Sequence, residues 1–284
     1  MLYLRDPRNV CRQLRKRWNL VLGMAVVGLL LVVVVCRVLR FGVVSRRPMP
    51  RAAFADPLAH LPRVMLWAWE RREDLRTLDP RAVGVAYLAK TLFLRHDTMI
   101  TRPRLQPLDV PPATVLIPVI RIEADKLFPP TLALAQRASV VHEIAALGSA
   151  ATVPAVQIDF DAKLSEREFY RAMLHDLRRV LPDTIRLSIT ALASWCLTDN
   201  WLAGLPIDEA VPMLFRMGAD RQHVLLHLQA GGDVRCTAVQ HSIGLATDEP
   251  VPQVRSGRRI YVFSPRAWSP ASVHMVLEEV QRWQ

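Results

Sequence analysis

The segment Gln157-Ile158-Asp159-Phe160-Asp161 alternates polar and apolar side chains, so in a β-strand Gln157, Asp159 and Asp161 share one face. Two carboxylates close together can divide acid–base work. One stays protonated and donates to a leaving oxygen, while the other is ionised and attacks or activates water. Three polar residues in register are too costly to set against apolar helices. That face must therefore line an interior, with Asp161 nearest the open end. Ser188 and Thr190 repeat the pattern in a later run, and Arg216 ends another. Glu70 and Glu123 close two other apolar runs, and Asp97 and Asp248-Glu249 follow two more. Glu70 runs into Arg71 and Arg72 and reads as a solvated loop.

For glycoside cleavage this assigns Asp161 as the acid, Glu123 or Glu249 as the second carboxylate, and Asp159 as a positioning group acting through Arg216. Gln157, Tyr87, Trp195 and Arg216 are the expected substrate contacts. A plainer alternative makes Asp159 and Arg216 a structural ion pair. Trp67, Trp69 and Trp268 also fall near strand ends, where rings can stack on sugars. For Trp67 and Trp69, packing against helices competes with that role.

Other chemistries find less support. His223 and His227 have metal-gripping spacing on a helix, but no H-E-x-x-H glutamate or third ligand accompanies them, so no metal and no cofactor are expected. There is no G-x-S-x-G elbow and no phosphate-binding loop. Ser194-Trp195-Cys196 offers a thiol without an assignable partner histidine. Cys196 and Cys236 follow and precede strand-like runs, and outside the cytoplasm they are expected to form a disulfide.

The elements that must position these groups are legible as eight apolar runs: 64–70, 83–88, 114–122, 155–161, 185–194, 210–217, 239–245 and 259–264. Near-continuous apolar content marks strands covered on both faces, as in a parallel sheet. Helix-like stretches at 132–147, 165–181, 217–228 and 272–283 lie between or after them. Ser165 with Glu168 forms a capping-box pattern, and Ser272 reads as a cap. Eight strands alternating with helices fit a (β/α)8 TIM-type barrel. The lack of G-x-G-x-x-G after the first strand argues against a dinucleotide-binding sheet. Chemistry in such a barrel collects at the C-terminal strand ends. A clear helix is missing from the second unit, and the seventh reads as long loops.

The chain has 284 residues, 51% hydrophobic, and a net charge of +11. Residues 1–51 carry eleven basic side chains against one acid, Asp6, so the remainder is within one charge of neutral. The basicity is local and needs no nucleic acid. Residues 18–36 contain no charge and span roughly 28 Å as a helix, close to the least that crosses a bilayer. The only A-x-A-like site, Ala53-Phe54-Ala55, lies too far beyond for signal cleavage. The expected organisation is a basic cytoplasmic tail (1–17), a transmembrane anchor (18–41), a proline-rich linker (42–62) and a barrel domain (63–284). The tighter basic cluster precedes the span, which places the large domain outside the cytoplasm. The bilayer, through residues 18–41, and a polysaccharide are the expected partners.

VMLWAWE, VPAVQIDFDAKLSEREFYRAMLHDLRRVLP and IRLSITALASW resemble a bacterial family known as a domain of unknown function, number 3142 in that series. The similarity covers roughly residues 63–218. It implies a barrel similar to glycoside hydrolases but no assigned reaction. Chitinase-like barrels, by wider analogy, carry D-x-D-x-E at the end of the fourth strand. Asp159 and Asp161 match the two aspartates, and Lys163 stands where the proton-donating glutamate would be. With the bacterial source that the resemblance implies, these readings lead to a single-pass inner-membrane protein whose periplasmic barrel acts on or binds an envelope polysaccharide. The alternative is a non-catalytic glycan-binding or interaction module of an envelope assembly.

Overall fold

The computed structural model describes residues 56–150, 153–197, 199–233 and 237–283. The expected tail and transmembrane segment (1–41) lie outside the described residues. Among the described residues, no helix is long and apolar enough to cross a membrane.

Eight strands form a closed parallel barrel: β1 (Val64–Ala68), β2 (Val83–Arg95), β3 (Leu116–Ala124), β4 (Ala155–Asp159), β5 (Arg186–Leu192), β6 (Glu209–Met213), β7 (Ser242–Ala246) and β8 (Arg259–Phe263). Each pairs in parallel with the next, and β8 returns to β1 through Val64 opposite Ile260. All eight correspond to apolar runs in the sequence.

The helices are α1 (Leu134–Ala150), α2 (Arg167–Val180), α3 (Ala193–Leu197), α4 (Arg221–Gln229) and α5 (Pro270–Trp283). Among the described residues, none follows β1, β2 or β7, so the outer ring is incomplete. β2 instead runs on to Arg95 and folds back as an antiparallel strand, Thr98–Pro103. Pro103, Pro107, Pro111 and Pro112 then leave no stretch long enough for a helix. A short parallel pair, Glu73–Asp74 with Leu108–Asp109, occupies the crossover after β1.

Two helix caps differ from the sequence expectation. Glu166, rather than Glu168, turns back to accept the Lys163 backbone N–H at 2.8 Å. α5 begins earlier, at Pro270, with Ser269 as its cap. The Ser272 N–H donates to the Ser269 hydroxyl (3.2 Å), and the Ser269 N–H donates to the Ser272 hydroxyl (2.9 Å). Pro270 suits the first helical position because its missing N–H would have no helical partner there.

Alternation along the strands sorts the core into two layers. Outward-facing Leu66, Val85, Ile120, Ile158, Ile189 and Val262 join the buried stripe of α2 (Phe169, Tyr170, Met173, Leu174, Leu177). Inward-facing Met65, Trp67, Ala86, Ile117, Val119, Val211 and Tyr261 fill the barrel. The interior accommodates Trp67 because β7 presents Gly244 to it. A Cβ there would stand 2.8 Å from the edge of the indole.

Below Trp67 the interior is polar and hydrogen-bonded throughout. The Trp67 indole N–H donates to Gln157 (2.8 Å), and the Gln157 amide donates to Ser188 (3.0 Å). Ser188 in turn donates to Glu209 at 2.7 Å. Glu209 also accepts from Arg259 (3.0 Å), Tyr261 (2.9 Å) and Ser242. Arg259 continues downward to the Asp56 carboxylate (3.0 Å) and the carbonyls of Leu58 and Pro62. Asp56–Pro62, within the stretch read as linker, therefore closes the base of the barrel, where Leu58 is fully buried.

Candidate functional site

A cavity of about 270 Å³ opens at the C-terminal ends of the strands, the end at which parallel barrels place their chemistry. Trp67 and Trp69 reach it from β1 and the residue beyond, Arg121 from β3, Thr190 from β5, and Phe263 from β8. Asp159 ends β4, and Asp161 follows one alternation later. Phe215, Arg216 and Asp220 come from the segment joining β6 to α4. The aromatic side is ordered: Phe215 and Phe263 stack with centroids 5.5 Å apart, and Trp69 meets Phe263 edge-on at 6.3 Å.

The two β4 aspartates occupy different environments. Asp159 is 8% exposed and accepts a 2.7 Å hydrogen bond from the Thr190 hydroxyl. Burial raises its pKa; the Thr190 bond and Arg121 oppose the rise, and Glu123 adds to it. Asp161 reaches solvent but is recessed within the mouth. Loss of water, reinforced by the Asp159 charge and opposed by Arg121, pushes its pKa up to about 6. Neighbouring carboxylates of this kind titrate as a pair and resist carrying two charges at once.

The arginines of the mouth are held by carboxylates. Arg121 pairs with Glu123 at 2.7 Å and lies over the Trp69 ring, 5.9 Å from its centroid. Arg216 adopts a left-handed backbone (φ 52°), uncommon for a residue with a side chain. Its conformation is pinned on both sides: its guanidinium meets Asp248 and Glu249 at 2.5 Å each, and its N–H donates to Glu249 at 3.0 Å. Arg221 holds the other Glu249 oxygen at 2.6 Å.

Of the residues expected at the site, the structure brings Asp159, Asp161 and Arg216 together around the cavity. It places the others elsewhere. Glu123 does not line the cavity and serves as the counter-ion of Arg121. Glu249 is clamped by two arginines. Although its partial burial opposes ionisation, the bonds from Arg216 and Arg221 outweigh that and lower its pKa, the reverse of what a proton donor needs. Gln157 is fully buried, with its amide spent on Trp67 and Ser188. Tyr87 packs with the outer layer. Trp195 is a core residue of α3, 4.8 Å from Trp201 between ring centroids. The Asp159–Arg216 ion pair does not form, because Thr190 takes Asp159 and the acids after β7 take Arg216. Trp67 and Trp69 face the mouth rather than the helices. The buried Cys196 has its sulfur 3.6 Å from the Leu192 carbonyl oxygen, while Cys236 lies outside the described residues.

Arg121, Phe215, Asp220 and Phe263 also line the mouth, beyond the residues that the sequence pointed to. The alternation that exposed Asp161 applies equally to Val211-Met213-Phe215 and Tyr261-Phe263, so the two phenylalanines were legible. Asp220 follows the left-handed Gly218 (φ 59°), where strand register no longer predicts direction. Among the described residues, no three or more of His, Cys, Asp and Glu form a group able to hold a metal ion.

No protein-family model, curated protein or solved structure matches this chain. The closed eight-stranded parallel barrel with helices packed outside it is TIM-like, and that class is defined by the coordinates alone.

Proposed function

We propose that this chain is a membrane-anchored barrel whose mouth takes a saccharide of the bacterial cell envelope, with Asp161 as the proton donor in glycoside cleavage. The observation that carries the reading is the placement of the Asp159–Asp161 pair opposite an aromatic wall, in one cavity at the C-terminal strand ends. Aromatic faces suit the apolar faces of sugar rings. A carboxylic acid with a pKa near 6 is still partly protonated close to neutrality and can donate to a glycosidic oxygen. The charge of Asp159, buried and bonded to Thr190, adds to the rise in the Asp161 pKa. Asp220, whose carboxylate has no hydrogen bond among the described residues, supplies the group that activates water. This assignment replaces Glu123 and Glu249, both committed to arginines. It also places the donor role on Asp161 rather than at the Lys163 position, consistent with the resemblance to glycoside-hydrolase-like barrels of unknown function.

A second reading is a recognition module without turnover. It is favoured by the arginine clamps on Glu123 and Glu249, which leave only the aspartates for chemistry. Incubating the full-length chain with a panel of oligosaccharides, and measuring both binding and new reducing ends, separates the two. Cleavage that disappears in Asp161→Asn supports hydrolysis. Binding without cleavage supports the module, and neither binding nor cleavage refutes both.

A further inference from the structure

The charges around the mouth do not balance locally, and the imbalance points to the kind of saccharide. Each arginine of the cavity is neutralised from behind: Arg121 by Glu123, and Arg216 with Arg221 by Asp248 and Glu249. Those two clusters are internally neutral. Asp159, Asp161 and Asp220 also line the cavity, and no cationic side chain among the described residues forms a salt bridge to any of them. Even with one proton shared by the β4 pair, two negative charges remain against an apolar wall. Asp159 is buried while Asp161 and Asp220 reach solvent in the same cavity, so a ligand cation entering it meets charge that no arginine has cancelled. Aromatic faces add to the attraction for a cation. A neutral sugar would leave the imbalance in place, and an acidic sugar would worsen it.

Resting on the saccharide reading above, we propose that the mouth selects a saccharide bearing a free primary amine, protonated at neutral pH. Its ammonium is received by Asp220 and the Asp159–Asp161 pair beside Trp69 and Phe263.

The test is calorimetric titration of the full-length chain at pH 7 with glucosamine oligomers, their fully N-acetylated counterparts and glucose oligomers of equal length. Spermidine, a polyamine without a sugar ring, is the fourth probe. The amine oligomer is expected to bind about ten- to a hundredfold more tightly than the other two sugars, the range for a hydrogen bond to a charged partner. Asp220→Asn removes most of that preference; because Asp220 is exposed, the change leaves the fold intact. Equal or tighter binding of the acetylated or glucose oligomers overturns the amine proposal while keeping the saccharide reading. Binding of spermidine alone, sensitive to Asp220→Asn, keeps the ammonium site and overturns the saccharide reading. Binding of none of the four overturns both.

Discussion

The two ends of this barrel hold the same residue types in opposite conditions. At the base, Glu209 is 1% exposed and accepts hydrogen bonds from Ser188, Ser242, Arg259 and Tyr261. Its charge is satisfied and fixed. At the mouth, Asp161 has no hydrogen bond among the described residues, and Asp159 has one, from Thr190. A carboxylate saturated by its own protein is architecture, because it has no capacity left for a ligand. One left under-coordinated in a cavity keeps its capacity for a ligand.

Breaking the saturated end should have the largest effect. Glu209→Ala strips buried Arg259 of its closest interior counter-charge, which typically costs about 3–5 kcal/mol. Urea denaturation is expected to show that loss. A change below about 1 kcal/mol would mean that the base network is not structural. At the other end, Asp161→Asn should lower glycoside cleavage by about 10²–10⁴-fold while the denaturation midpoint at pH 7 does not fall. Unchanged turnover removes Asp161 as the acid.

Gly244→Ala tests the connection between the ends. The added methyl collides with Trp67, and overpacking of this kind costs about 1–3 kcal/mol. Because Trp67 also lines the cavity, weaker saccharide binding should accompany the lower melting temperature.

The smallest effect concerns pH. Folding raises the Asp161 pKa to about 6, so the folded protein holds this proton more tightly than the unfolded chain. The stability owed to it is complete below about pH 4 and is lost as pH rises through 6. Asp161→Asn abolishes that decline. After allowance for solvent screening of an accessible group, the variant should be more stable at pH 7 by about 1 kcal/mol, or roughly 2–4 °C. Calorimetry at pH 4 and pH 7 should show the gap between variant and parent widening with pH.

The strands were legible because burial on both faces leaves a continuous apolar run, and alternation within 155–161 located the two β4 aspartates. Helices depend on room in the connection, and the prolines after β2 left none. Glu209 was missed because Asp208-Glu209 looks like loop sequence until Ser242, Arg259 and Tyr261 surround it. The prolines before Arg63 read as linker, although Leu58 and Leu61 are apolar because they seal the base. Trp195 and Gln157 were misplaced for a related reason. Side-chain type predicts capacity for contact, whereas register and neighbours decide what is contacted. Glu123 and Glu249 lie close to the mouth, and only the arginines beside them reveal that they are occupied.

The under-coordinated mouth can be tested most directly by carbon NMR titration of the side-chain carboxyls in aspartate-labelled protein, with Asp161→Asn used to assign the resonance. The account predicts an Asp161 inflection near pH 6. Titration of that resonance at the ordinary aspartate value of about 4 would contradict it.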